Sequence, residues 1–209
     1  MHIKKLILGG ENVRLDFKKT ISNAAKIAKT LVAFANNQGG QLLIGVADDG
    51  TIKGVKGEDE ERYMINKAAH VYCKPAIEPN FEEIYVDDKL VLVVDIPKSD
   101  IKPHYALDEN QKWWVYFRVK DKSVLATKIL VDVLKEGNKD MGQLITYTDQ
   151  ERKLLQYLEE HGRITLKEFS KLTRSAYKKA QKIIVSLILS GVLLPHISEK
   201  EEYFTASDS

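Results

Sequence analysis

The chain has 209 residues, 44% hydrophobic and 30% charged, a balance that excludes a disordered chain and suits one large or two modest globular domains. The formal net charge is only +2, so attraction to a polyanion has to come from local clustering of cations. A single cysteine, Cys73, excludes an internal disulfide and a cysteine-rich zinc module; no apolar run approaches the roughly 20 residues of a membrane span, and MHIKKLIL lacks the apolar stretch of a signal peptide, so a cytoplasmic protein without membrane contact is expected.

The segment GENVRLDFKKT, residues 10 to 20, has the alternation of a strand, with Val13, Leu15 and Phe17 on one face and Arg14, Asp16 and Lys18 on the other. Ser22 is placed to cap a helix whose Ala24, Ile27, Ala28, Leu31 and Ala35 form an apolar stripe. NNQGG ends that helix, QLLIGVA reads as a buried strand, and DDG supplies a tight turn. Asp59 to Cys73 reads as a second helix, stopped by Pro75. Phe81 to Val86 and Leu90 to Ile96 form a hairpin, and Lys112 to Val119 a further strand. Trp113 and Trp114, being adjacent, should face opposite sides, one in the core and one on the surface. A helix through Thr127 to Leu134 closes this domain, and the interleaving of helices with hairpins predicts a mixed sheet.

EGNKDMGQ, residues 136 to 143, is polar, glycine-containing and without apolar period, which divides the chain into a first domain at 1–138, a linker at 139–147 and a second domain at 148–209. In the second domain Thr148 caps a helix that Gly162 ends, Thr165 with Glu168 has the spacing of a capping box, and Ser175 is placed to cap a long third helix. A hairpin follows. Three helices and a hairpin are the order of a winged helix-turn-helix, whose third helix enters the major groove. The expected fold is therefore α+β, a mixed sheet flanked by helices followed by a small winged helix-turn-helix domain.

Five stretches of the first domain together resemble the Schlafen AlbA-type family: ENVRLDFK at 11 to 18, AFANNQGG at 33 to 40, LLIGVADDG at 42 to 50, PKSDIKPH at 97 to 104 and YFRVKD at 116 to 121. The family includes bacterial regulators and the nuclease core of Schlafen proteins. In its nuclease members three acids serve divalent-metal-dependent cleavage of RNA, notably transfer RNA. The resemblance puts those acids at Glu11, Asp16 and Asp48, with the family's lysine at Lys18; nuclease members usually carry glutamate where this chain has Asp16. It also brings His104 and Arg118 near the same groove.

Carboxylate oxygens suit Mg²⁺ or Mn²⁺, and such a cation polarises a phosphoryl oxygen and activates the attacking oxygen. Glu11, Asp16 and Asp48 are thus the expected metal ligands and, with Lys18 to neutralise charge on the phosphate, the expected catalytic set. Expected nucleic-acid contacts are Arg14, Lys18, His104 and Arg118 in the first domain, and Arg174, Tyr177, Lys178, Lys179, Gln181 and Lys182 at the start of the third helix of the second. No ATP is expected, since GxxxxGK[ST] is absent. The leading reading is a transcriptional regulator that binds duplex DNA or structured RNA, with a metal-dependent endoribonuclease and a protein-binding adaptor as alternatives. A homodimer is expected, because Schlafen nucleases enclose their groove with two related lobes and this chain holds one copy of the motif set.

Overall fold

The principal sheet is mixed and has the order β1-β2-β5-β4, from β1 (Leu15–Lys18), β2 (Gly40–Ile44), β4 (Asn80–Val86) and β5 (Lys89–Ile96). β1 runs parallel to β2, and the other neighbours are antiparallel. The computed structural model describes residues 2–137, 148–198 and 200–207, and the chain divides into two units, 1–126 and 127–209.

In the first unit, alternation in the central strands feeds two cores. Leu42, Ile44, Leu92, Val94 and Ile96 face α2 (Ala24–Asn36), with Ile27, Leu31, Phe34 and Ala35 packed on them. α3 (Glu58–Val71) joins this layer through Ile65, Ala68 and Ala69. On the opposite face Leu15, Phe17, Leu43, Val91 and Val93 pack with Ile3 of α1 (His2–Leu8), a helix that the sequence reading did not include. At about 25 cal/mol per Å² of apolar area, fully burying one such side chain stabilises by roughly 1.5 to 3 kcal/mol, so both layers matter to the fold.

The α2 cap is Asn23 rather than Ser22: its side-chain oxygen accepts from the amide of Lys26 at 3.0 Å. The helix stops at a glycine turn whose conformation is forced. Gly39 has φ +74°, and a Cβ there would lie 2.6 Å from the Ile96 carbonyl oxygen. A three-stranded sheet of β3 (Cys73–Lys74), β6 (Tyr105–Leu107) and β7 (Trp113–Trp114), and a hairpin of β8 (Tyr116–Val119) and β9 (Lys122–Leu125), complete the unit. The strand expected over 112 to 119 therefore breaks at Val115, which is buried. Both tryptophans are exposed, at 41% and 39%, so neither enters the core. Cys73 is buried, and burial pushes its thiol up to about 12, the behaviour of a small hydrophobe.

The second unit comprises α4 (Lys128–Glu136), α5 (Asp149–His161), α6 (Leu166–Leu172), α7 (Tyr177–Leu189) and the hairpin β10 (Leu193–Ile197) with β11 (Glu202–Ala206). α4, expected to close the first domain, belongs here because Ile129 finds its apolar partners among Leu154, Phe169, Ile184, Leu187 and Phe204. The expected linker at 139–147 lies outside the described residues. Capping boxes open α5 at Thr148 and Glu151, and α6 at Thr165 and Glu168, and Gly162 ends α5 with φ +76°. α7 is capped at Ala176 without a side-chain bond rather than at Ser175, whose hydroxyl pairs with Thr173 at 2.7 Å. Between α5 and α6, Ile164 bridges Phe204 through two backbone hydrogen bonds of 3.0 and 2.8 Å, an isolated bridge that ties this loop to the hairpin. Among the described residues no helix is long and apolar enough to cross a membrane.

Candidate functional site

Asp16 and Lys18 sit on the edge strand β1, in register with Leu42 and Ile44, and so share the sheet face that α2 covers. Asp16 is 5% exposed, whereas Val13, assigned to the face of Leu15 and Phe17, is 36% exposed because the strand begins only at Leu15.

A buried carboxylate needs partners, and Asp16 has one on each oxygen. Lys18 Nζ donates to Oδ1 at 2.7 Å, and Arg118 Nη1 donates to Oδ2 at 3.0 Å. Arg118 comes from β8 and is 2% exposed, which corrects the expectation of an outward-facing phosphate contact. Its Nη2 donates to the carbonyls of Asn12 at 2.8 Å and Leu15 at 3.3 Å, and its guanidinium lies 4.9 Å from the centre of the Phe34 ring. Arg118 Nε is the one buried side-chain nitrogen or oxygen among the described residues without a partner.

Glu11 completes the cluster. Its Oε1 accepts from the amide of Phe17 at 2.7 Å, and its carboxyl hydrogen-bonds with Asp16. Burial, then the hydrogen bond to Asp16 and the repulsion of that charge, push Glu11 up to about 7 against the opposing pull of the Phe17 amide and Lys18. Burial alone would raise Asp16 as well; the Glu11 hydrogen bond, Lys18 and Arg118 outweigh it and hold Asp16 below the usual carboxylate range. The two acids thus differ in role: Asp16 keeps its charge, and Glu11 holds its proton to higher pH than an ordinary carboxyl.

The same side chains satisfy the open edge of β1. On the side away from β2, Phe17 gives its amide to Glu11 and takes Lys18 Nζ on its carbonyl at 2.7 Å, and the Leu15 carbonyl takes Arg118 and the Asn12 amide.

Asp48 does not join them. It is exposed, in the turn before Gly50, where Gly50 donates its amide to the Ala47 carbonyl at 2.8 Å. Among the described residues no group of three or more His, Cys, Asp or Glu side chains is gathered as a metal would need. With both Asp16 oxygens held by cations and Asp48 outside the cluster, the donor set expected at Glu11, Asp16 and Asp48 does not fit Mg²⁺ or Mn²⁺ as arranged.

His104 is buried at 3% rather than presented to phosphate. Its ring meets the Pro75 carbonyl at 2.9 Å through Nδ1 and the Ser99 hydroxyl at 2.7 Å through Nε2, and its amide is held by Asn36 Oδ1 at 2.7 Å. Asn36, which the sequence reading did not single out, also donates to the carbonyls of His104 and Tyr116 at 2.9 and 3.0 Å, so the position serves the loops around α2. Arg14 is exposed beside Asn12, whose side chain accepts its amide at 2.9 Å.

In the second unit, Arg174, Tyr177, Lys178, Lys179 and Lys182 are exposed at and after the start of α7. Arg174 occupies the α6–α7 turn with φ +50°. Gln181 is the exception among the expected contacts: its amide donates to Asp132 of α4 at 2.6 Å and is committed there. On the hairpin side Arg163 pairs with Glu201 at 3.0 Å and lies over the Tyr203 ring.

Two solved structures are similar to this chain. The DIP2311 protein of Corynebacterium diphtheriae shares 17% identity at a TM-score of 0.49, over 70% of this chain and 30% of its own, so this chain spans less than a third of that protein's length. The N-terminal domain of an ATP-dependent DNA helicase RecG-related protein of Nitrosomonas europaea shares 20% identity at a TM-score of 0.45, over 70% of this chain and 94% of its own. Residues 11–127, more than half of the sequence and all of the first unit from Glu11 onward, match the Schlafen, AlbA_2 family, and the chain belongs to it.

Proposed function

We propose that this protein is a nucleic-acid-binding transcriptional regulator, with the second unit a winged helix-turn-helix that reads duplex DNA through α7. The observation that carries this reading is the cluster Arg174, Lys178, Lys179 and Lys182, exposed and without ion-pair partners among the described residues. Cations so placed are available to phosphates, and the first turns of a recognition helix are where base edges and backbone are met. The order α5, Ile164 bridge, α6, α7, hairpin supports the same assignment. The hairpin tip is a weaker grip, since Arg163 is already paired with Glu201. A homodimer would present two such helices to half-sites about one helical turn apart.

The endoribonuclease reading has less support, because Asp16 is neutralised by Lys18 and Arg118 instead of being open to a metal. The test is fluorescence anisotropy with labelled duplex DNA at low salt. A Lys178→Glu, Lys179→Glu protein is expected to lose at least tenfold in affinity. Absence of binding to any duplex by the unmodified protein would leave the adaptor reading in its place.

A further inference from the structure

A cavity of about 190 Å³ opens on the first unit between the end of β1 and the first turns of α2. Its polar lining comes from Lys18, Thr20, Ser22, Asn23, Lys26 and Thr30. The last three are spaced three and four residues apart along one helix, which puts them on a single face.

Thr30 is the informative member. It is only 8% exposed, and its hydroxyl has no hydrogen-bond partner among the described residues. Arg118 Nε is the one buried side-chain polar atom among those residues that is sealed without a partner, so the Thr30 hydroxyl is open, and the cavity it lines is where it opens. A helical threonine commonly returns its hydroxyl to a carbonyl of the preceding turn, and this one does not. The Lys26 ammonium has no ion-pair partner among the described residues either. The positive end of the α2 dipole adds to the potential there.

No acid lines this cavity. Asp16, the partner of Lys18, is engaged by Lys18 and Arg118, and Glu61 accepts the Thr20 hydroxyl at 2.6 Å and the Ile21 amide at 2.8 Å. What remains is a set of donors: a buried hydroxyl, a free lysine and the Asn23 amide nitrogen.

We propose that this cavity is a phosphate-binding pocket, taking a phosphoryl group between Lys26, the Thr30 hydroxyl and the Asn23 side-chain amide. A phosphoryl group offers several acceptor oxygens to these donors and a charge that Lys26 offsets. It comes either from a nucleic-acid backbone or from a free phosphate ester, the chemistry being shared. The pocket lies in the first unit and is independent of the regulator reading carried by α7.

The test is a two-dimensional amide NMR titration of the isotope-labelled full chain at low ionic strength, first with inorganic phosphate and then with a hexathymidylate lacking terminal phosphates. Saturable shifts centred on Asn23, Lys26, Ile27 and Thr30 are expected. If the oligonucleotide moves the same amides at lower concentration than phosphate does, the source is a nucleic-acid backbone; if phosphate alone moves them, it is a free ester. Thr30→Val, which keeps the shape and removes the hydroxyl, and Lys26→Gln, at an exposed position, are each expected to weaken binding about fivefold, with the remaining spectrum reporting that the fold is kept. No saturable shift with either probe, or affinities unchanged in both variants, would overturn the pocket. Lys178→Glu, Lys179→Glu protein should retain the phosphate response, which separates this inference from the fate of the α7 reading.

Discussion

Glu11 and Asp16, five positions apart, pair their carboxyl groups, and the pairing raises the pKa of Glu11 while it helps to lower that of Asp16. Stability should report this. Glu11 is raised from 4.5 to about 7 in the fold, so between those values the folded chain holds a proton that the unfolded chain has released, and stability falls as pH rises through that window. Glu11→Gln keeps a neutral donor toward Asp16 and an acceptor for the Phe17 amide. Its melting temperature should match the parent near pH 5 and exceed it near pH 8. Parallel melting curves across that range would count against the pairing.

Arg118→Ala should destabilise the first unit by about 3 to 5 kcal/mol, because it leaves Asp16 buried with one cation and removes the side-chain donor from the carbonyls of Asn12 and Leu15. Arg118→Lys retains a charge without the fork that reaches Asp16 and both carbonyls, and should recover only part of the loss. Urea unfolding followed by tryptophan fluorescence measures both.

Millimolar Mn²⁺ should leave the melting temperature unchanged, since a ligand stabilises only what it binds in the native state and the Asp16 oxygens are taken. A saturable rise would mean that the cation displaces Lys18 from Asp16, and would restore the metal-dependent nuclease.

Gly40→Ala should cost about 1 to 3 kcal/mol by overpacking. A Cβ at Gly40 would lie 2.4 Å from the Phe34 ring, the same ring on which Arg118 rests, so crowding at Gly40 should reach Asp16 without touching it. Thermal melts of the variant at neutral pH decide it, and a melt identical to the parent's counts against the coupling.

Salt dependence gives a separate check on α7. Each phosphate neutralised contributes about 0.9 to the slope of log affinity against log salt, so Lys178→Gln, Lys179→Gln should reduce that slope by roughly 2. An unchanged slope would move the contact surface elsewhere.

Much of the scaffold is readable in the residues, because it rests on local periodicity. The stripe of Ala24, Ile27, Ala28, Leu31 and Ala35 gives α2, and the Thr165 to Glu168 spacing gives the start of α6. The charge cluster was not readable as it stands. Asp16 looks solvated from its neighbours alone, and its burial depends on Arg118, 102 residues away. His104 looks like a surface ligand until Asn36 and Ser99 are seen to hold it from distant loops. Gln181 looks like a base reader only if α4, assigned by sequence to the other domain, is left out. Nor does a local pattern announce Thr30, whose significance lies in a partner it lacks.

A strand at the margin of a sheet invites another chain to continue the ladder. β1 declines that invitation with its own side chains: Glu11 occupies the Phe17 amide, Lys18 the Phe17 carbonyl and Arg118 the Leu15 carbonyl. Two copies of the protein therefore cannot join into a continuous sheet across β1 without first dismantling a buried ion pair. Sheet-to-sheet pairing of the principal sheet is left to the opposite margin at β4, and the charges in LDFK protect the protein from aggregating through the β1 edge.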